Sequence, residues 1–205
     1  MINVAAKFRI NTKMGKKIIL ITGGQRSGKS RQAEELALNL TSNPVYVATA
    51  HVWDDEFRER VRRHQKRRGP QWTNIEEEKF LSRHDLTGRV AVIDCVTLWL
   101  TNFFTPSELP LEGGESGGDV EQTLETIKQE FDRFTAHDAT YIFVTNEIGS
   151  GGVSDNAIQR KFTDLEGWMN QYIASKADEV ILMVSGIAVV IKGDKETGIQ
   201  GVKDK

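Results

Sequence analysis

The octet Gly23-Gly24-Gln25-Arg26-Ser27-Gly28-Lys29-Ser30 constrains this chain more than any other feature. It fits the pattern G-x-x-x-x-G-K-[ST] and follows directly on KIILIT, a run with the apolar, β-branched character of a buried strand. Beyond it the sequence turns amphipathic over about Gly28–Leu40, so the octet stands where a strand gives way to a helix. Glycines there let the backbone fold around phosphate oxygens with its N–H groups pointing inward. The N-terminus of the following helix adds partial positive charge. Lys29 can reach β- and γ-phosphates as a compact cation, and the Ser30 hydroxyl can ligate Mg²⁺. The expectation is a phosphate-binding loop that holds a nucleoside triphosphate.

The rest of the chain reads as a scaffold for that loop. Lys17–Thr22, Val45–Thr49, Val90–Asp94, Ala139–Asn146 and Glu179–Val184 are short apolar runs, and Ala188–Lys192 follows Ser185-Gly186 as a closing hairpin partner. Helical patterns fall between them at about Gly28–Leu40, Asp54–Arg68, Val96–Phe103, Val120–Thr135 and Asn156–Ser175. Such alternation predicts an α/β fold of the P-loop kind, a mostly parallel sheet with helices on both faces. With 205 residues, one domain over residues 16–193 accounts for the pattern, flanked by an extension at residues 1–15 and a tail at residues 194–205. The first fifteen residues lack the apolar core and cleavage site of a secretory signal. A net charge of -2 argues against a general nucleic-acid or membrane-surface binder, and no apolar run reaches the roughly 20 residues of a membrane span. The single Cys95 forms no internal disulfide, which fits a cytoplasmic protein. Thr105–Gly118, with two prolines and four glycines, cannot continue a helix and reads as a surface loop or as a lid over substrate.

Two further features bear on chemistry. Asp94 closes a buried strand, where P-loop folds place the acid that supports Mg²⁺; a lone Asp there also suits a helix cap. Arg58–Arg68 reads RERVRRHQKRR, with seven cations against one carboxylate. Three uses fit such a run: a solvated helix face, a nucleic-acid patch, or the surround of a phosphorylated substrate. No aromatic residues interleave for base stacking. His64 shares a helical face with Arg60 and with Arg67 or Arg68, and neighbouring cations disfavour its protonation. A neutral imidazole can attack phosphorus, although exposed histidines on charged helices are common.

Longer segments carry a resemblance. TGGQRSGKSRQAE fits T-G-G-x-R-S-G-K-S-x-x-A-E, and DDEFRERVRRHQ fits D-x-E-M-x-x-R-I-x-x-H apart from Phe57 and Val61, with a later tryptophan, Trp72. YVATA, VIDCVTLWLTN, VTNEIGSGGV and FTDLEGWMNQYIASKADEVILMVSGI supply further matches. Together, over about Ile18 to Lys192, these resemble the bifunctional adenosylcobinamide kinase / adenosylcobinamide-phosphate guanylyltransferase family of cobalamin assembly.

The resemblance implies two reactions. A nucleoside triphosphate, ATP or GTP, phosphorylates the aminopropanol hydroxyl of adenosylcobinamide. GTP then yields a GMP–histidine intermediate with release of pyrophosphate, and the GMP passes to the phosphorylated corrinoid. It also implies that Ala48, Thr49, Ala50, Gln65, Lys66, Arg67, Arg68, Glu76 and Asp94 serve GTP beside the loop residues Gly23–Ser30. Some relatives carry two adjacent histidines where this chain has Arg63-His64; His64 is the only imidazole of that stretch and takes the nucleophile's role. Ser154 replaces the proline common after G-I-V. A homotrimer with shared sites is a further implication. Glu147, closing VTNE, can orient the acceptor or cap the turn that follows. The rival readings are a P-loop kinase of another small molecule, without guanylyl transfer, and a GTP-dependent switch protein.

Overall fold

The computed structural model describes residues 15–51, 68–104 and 119–193. Seven strands form one sheet: β1 (Lys17–Gly23), β2 (Val45–Ala48), β3 (Thr73–Glu76), β4 (Val90–Asp94), β5 (Thr140–Val144), β6 (Glu179–Val184) and β7 (Ile187–Lys192). Their spatial order is β3-β2-β4-β5-β1-β6-β7, parallel throughout except for the antiparallel β6–β7 pair. The helices are α1 (Lys29–Leu40), α2 (Val96–Phe104), α3 (Val120–Phe134) and α4 (Ala157–Lys176). The expected mostly parallel α/β sheet is present.

A strand covered on both faces is apolar over its buried span, as β1 is over Ile18–Ile21. Ile18 and Leu20 face the larger core with α2, α3 and α4, whereas Ile19 and Ile21 face the smaller one with α1. On α1 the small residues Ala33 and Ala37, one turn apart, are fully buried and bring the helix close to the sheet. Leu124, Ile127, Phe131 and Phe134 make the buried stripe of α3, and the Asp119 carboxylate caps that helix by accepting from the amides of Glu121 and Gln122. Asn156 caps α4 in the same way through Ile158 and Gln159.

The sequence reading missed β3. Thr73, Asn74 and Glu76 are exposed and only Ile75 is half-buried, so this edge strand has no apolar run to announce it. Its one strand partner among the described residues is β2. The expected helix Asp54–Arg68 lies outside the described residues apart from Arg68, and Thr105–Gly118 lies wholly outside them.

Parallel strands end together, and here the register puts the assigned residues in one row. Ala48 pairs with Glu76 on one side and Asp94 on the other; Asp94 pairs with Val144, which pairs with Ile21 just before the loop. In open α/β sheets this carboxyl edge is where ligands bind.

Candidate functional site

Residues 23–30 leave β1, turn, and enter α1. Gly23 is required by packing: a Cβ there would sit 2.4 Å from the Met183 carbonyl oxygen of β6, and its φ is 150°. Gly28, at φ 98°, opens α1. The loop's carbonyls are used by the protein. Gly23 O accepts from the Glu147 amide at 3.1 Å, Gly24 O from Ser27 N at 3.3 Å, and Ser27 O from Gly186 N at 3.0 Å. The β6–β7 turn and the segment after β5 therefore clamp the loop from behind. The Ser27 hydroxyl is buried without a partner. These are the properties of an anion cradle.

Lys29 is 7% exposed, and its Nζ donates to Gly24 O at 2.7 Å. Burial lowers its pKa, opposed by the negative groups around it, chiefly Cys95, Asp94 and Glu166. Burial also pushes the Cys95 thiol up to about 12, so that group is uncharged at neutral pH. Asp94 and Glu166 are thus the carboxyl groups whose field reaches the lysine.

Asp94 Oδ2 accepts from the Tyr46 hydroxyl at 2.7 Å. Burial, then the Asp94 charge, raises the Tyr46 pKa, so the phenol stays a donor. Behind Tyr46, the Arg68 guanidinium lies 3.5 Å from the ring centroid and the Trp72 ring meets it edge-on at 6.0 Å. Arg68 Nε also donates to Asn74 Oδ1 at 2.9 Å. Arg68 is buried in this stack, with Glu34 of α1 3.9 Å from its Nη1, and Tyr46 stands between it and Asp94.

Thr49 crosses the top of β4. Its amide donates to Asp94 O at 3.3 Å, its hydroxyl to Cys95 O at 2.7 Å, and its carbonyl accepts from Asn102 Nδ2 at 2.7 Å. Ala48 O accepts from Glu77 N at 3.1 Å, which fixes the exit of β3 and the exposed Glu76 beside it. Ala48, Thr49, Ala50, Glu76 and Asp94 thus gather at one edge with residues 23–30. His64, Gln65, Lys66 and Arg67 lie outside the described residues.

Glu147 is exposed next to the cradle, and no side chain caps the short turn Gly149–Gly151 that follows it. Beyond Glu147 a cavity of about 290 Å³ is lined by Ile148, Gly151, Gly152, Val153, Ser154, Gln159 and Thr163. Beneath it runs a polar network absent from the sequence reading. Thr97 Oγ1 donates to the buried Glu166 and accepts from both N–H groups of Asn146 at 3.1 Å. One sequence signal did point there: Glu166 interrupts the apolar stripe of Leu165, Met169 and Ile173.

Against this geometry, the model of the cobinamide kinase / cobinamide phosphate guanyltransferase family, CobU, matches residues 19–191. The chain belongs to that family. Among curated relatives, the bifunctional adenosylcobalamin biosynthesis protein CobU of Escherichia coli is 36% identical over 187 residues, covering 85% of this chain and 99% of the relative. CobP of Pseudomonas aeruginosa is 36% identical over 179 residues, covering 85% and 97%, and CobU of Salmonella typhimurium is 37% identical over 186 residues, covering 85% and 99%. Among solved structures, an ATPase of a type III secretion system superposes with a TM-score of 0.48 at 10% identity, covering 88% of this chain and 60% of that one. A Pyrococcus horikoshii protein superposes with a TM-score of 0.45 at 8% identity, covering 89% of each chain. Neither superposition bears on the reaction. In this CobU-family chain the loop 23–30, Asp94 and Glu147 lie at the same edge of the sheet, and no described helix is long and apolar enough to cross a membrane.

Proposed function

We propose that this protein phosphorylates adenosylcobinamide and then transfers GMP from GTP to the product, giving adenosylcobinamide-GDP. The observation that carries this reading is the cradle of residues 23–30 seated beside Asp94, in a chain matched by the CobU family over residues 19–191. Both reactions attack phosphorus, so both need fixed positive charge and in-line positioning.

In the kinase step, the cradle amides and Lys29 hold the triphosphate of ATP or GTP. The acceptor hydroxyl enters from the cavity beyond Glu147, whose carboxylate orients it. The hydroxyl oxygen attacks the γ-phosphorus, the bond to the β-phosphate oxygen breaks, the nucleoside diphosphate leaves, and the hydroxyl proton passes to solvent. In the second reaction a His64 nitrogen attacks the α-phosphorus of GTP and pyrophosphate leaves. A phosphate oxygen of the corrinoid then displaces His64 from that phosphorus. Arg68 acts from behind by holding Tyr46 against Asp94, while Gln65, Lys66, Arg67 and Glu76 serve the nucleotide directly.

Mg²⁺ belongs to this reading. Among the described residues no group of three or more His, Cys, Asp or Glu side chains can hold a metal. The hard oxygen donors Ser30 and Asp94 instead suit an ion shared with phosphates. When bound, Mg²⁺ neutralises charge on the transferring phosphoryl group. A cytoplasmic homotrimer completes the proposal, and light scattering of the purified protein tests the oligomer.

GTP radiolabelled at the α-phosphate is expected to label the protein covalently, with a bond labile to acid and stable to alkali. His64→Ala removes that label and keeps much of the kinase activity. Label persisting in His64→Ala refutes the nucleophile. Kinase activity with no label in the wild type leaves only the plain kinase.

A further inference from the structure

Glu166 lies on the buried face of α4, 1% exposed, and the mechanism above does not use it. An ionisable side chain in an apolar stripe is costly to bury unless its oxygens are satisfied. Only one of them is: Oε1 accepts a hydrogen bond from the Thr97 hydroxyl, and Oε2 is buried with no hydrogen-bond partner. With its one hydrogen directed at Glu166, Thr97 Oγ1 is otherwise an acceptor, and it accepts from the backbone N–H of Asn146 and from Asn146 Nδ2. The Asn146 carbonyl accepts in turn from Asn170 Nδ2 at 3.0 Å, and Asn170 Oδ1 accepts from Thr145 at 2.7 Å. Every member of this network bears on the two residues that precede Glu147. Glu147 itself donates its amide to the cradle at Gly23 O. The segment leaving β5 is therefore held from one side by the phosphate loop and from the other by Thr97 and Glu166.

We propose that Glu166 is a positioning residue for the phosphoryl-transfer half of the reaction: by fixing the direction of the Thr97 hydroxyl it sets Asn146 and so aims Glu147 at the acceptor. This inference rests on the function proposed above. Glu166 does not touch substrate. Its positioning effect falls on the acceptor side, since formation of the covalent GMP intermediate needs no acceptor; Glu166 reaches Lys29 through its charge alone, which Glu166→Ala and Glu166→Gln both remove.

The test compares Glu166→Ala, Glu166→Gln and Thr97→Val in the full-length protein. Three quantities are followed: kcat and nucleotide KM for phosphorylation of adenosylcobinamide, and the amount of covalent GMP formed from GTP. Glu166→Ala and Thr97→Val are each expected to lower the kinase kcat about 10- to 100-fold, the effect of a misplaced reacting geometry, with nucleotide KM and GMP labelling held within about twofold. Glu166→Gln keeps an oxygen to accept from Thr97, and its kcat returns to within about threefold of wild type. A wild-type kinase kcat in Glu166→Ala, an unrescued Glu166→Gln, or a parallel loss of kinase and labelling overturns the inference alone. A wild-type protein that neither phosphorylates adenosylcobinamide nor takes the label overturns the function proposal and this inference with it.

Discussion

Replacing Lys29 by methionine separates stability from catalysis. The lysine is 7% exposed and makes one hydrogen bond, to Gly24 O. Its lowered pKa states that burial outweighs the attraction of its neighbours. The true attraction is smaller still, because Cys95 is a neutral thiol at neutral pH and Glu166, pushed up to about 7, is only partly ionised there. Lys29→Met keeps the length and apolar stem of the side chain. It loses a charge-assisted hydrogen bond worth about 1.5–3 kcal/mol and relieves a desolvation cost of similar size. Nucleotide-free stability is therefore expected to stay within about 1 kcal/mol of wild type, or to rise. Catalysis responds differently, because the developing phosphoryl charge loses a preorganised donor, an effect of about 10²–10³ in rate, or roughly 3–4 kcal/mol. Urea unfolding without nucleotide gives the first quantity; kinase turnover and GMP labelling give the second. A Lys29→Met protein that is folded and keeps activity within a few-fold of wild type refutes the assignment. A large loss of stability would instead make the lysine a structural element.

Three other perturbations have definite outcomes. Gly23→Ala drives a methyl against Met183 O at a point where β1 and β6 are paired, and is expected to cost about 2–3 kcal/mol in urea unfolding and to abolish GTP retention. A Cβ at Gly24 meets nothing within 4 Å, so equal destabilisation by Gly24→Ala would contradict the packing argument. Asp94→Asn keeps an oxygen for Tyr46 and removes the charge; kinase activity is expected to fall about 100-fold with partial recovery at high Mg²⁺, and unchanged activity refutes the metal role. Burial raises Glu166 from 4.5 to about 7, so the native state holds this proton more tightly than the unfolded chain. Wild-type stability should fall as pH rises through that window, by up to roughly 3 kcal/mol at about 1.4 kcal/mol per unit, and Glu166→Gln should flatten the profile between about pH 4.5 and pH 7. A wild-type profile already flat there would refute an unfavourably buried carboxyl.

How far the sequence reveals this site depends on the distance over which each feature is specified. The cradle is legible because its demands are local: glycine at Gly23 and Gly28, a lysine and a hydroxyl following at fixed spacing, and an apolar strand before them. The central strands are legible because burial on both faces leaves no polar position in Ile18–Ile21 or Val90–Ile93. β3 is not, since an exposed edge strand of four residues draws its order from β2 rather than from its own composition. The contact from Tyr46 to Asp94 depends on the register of two neighbouring strands 48 residues apart, and the bond from Thr97 to Glu166 on the docking of two helices 69 residues apart. Local pattern carries neither. It does carry the anomaly of Glu166 among Leu165, Met169 and Ile173, where a helix meant only for packing would have an apolar side chain. Its partner Thr97 lies in the first turn of α2, three residues after Asp94, so the strand-end acid and the hydroxyl that holds Asn146 belong to one short segment. In the proposed mechanism β4 and α2 thereby join the donor and acceptor halves of the site. On that geometry, changes at Glu166 and at Asp94 affect the same phosphoryl transfer from opposite sides.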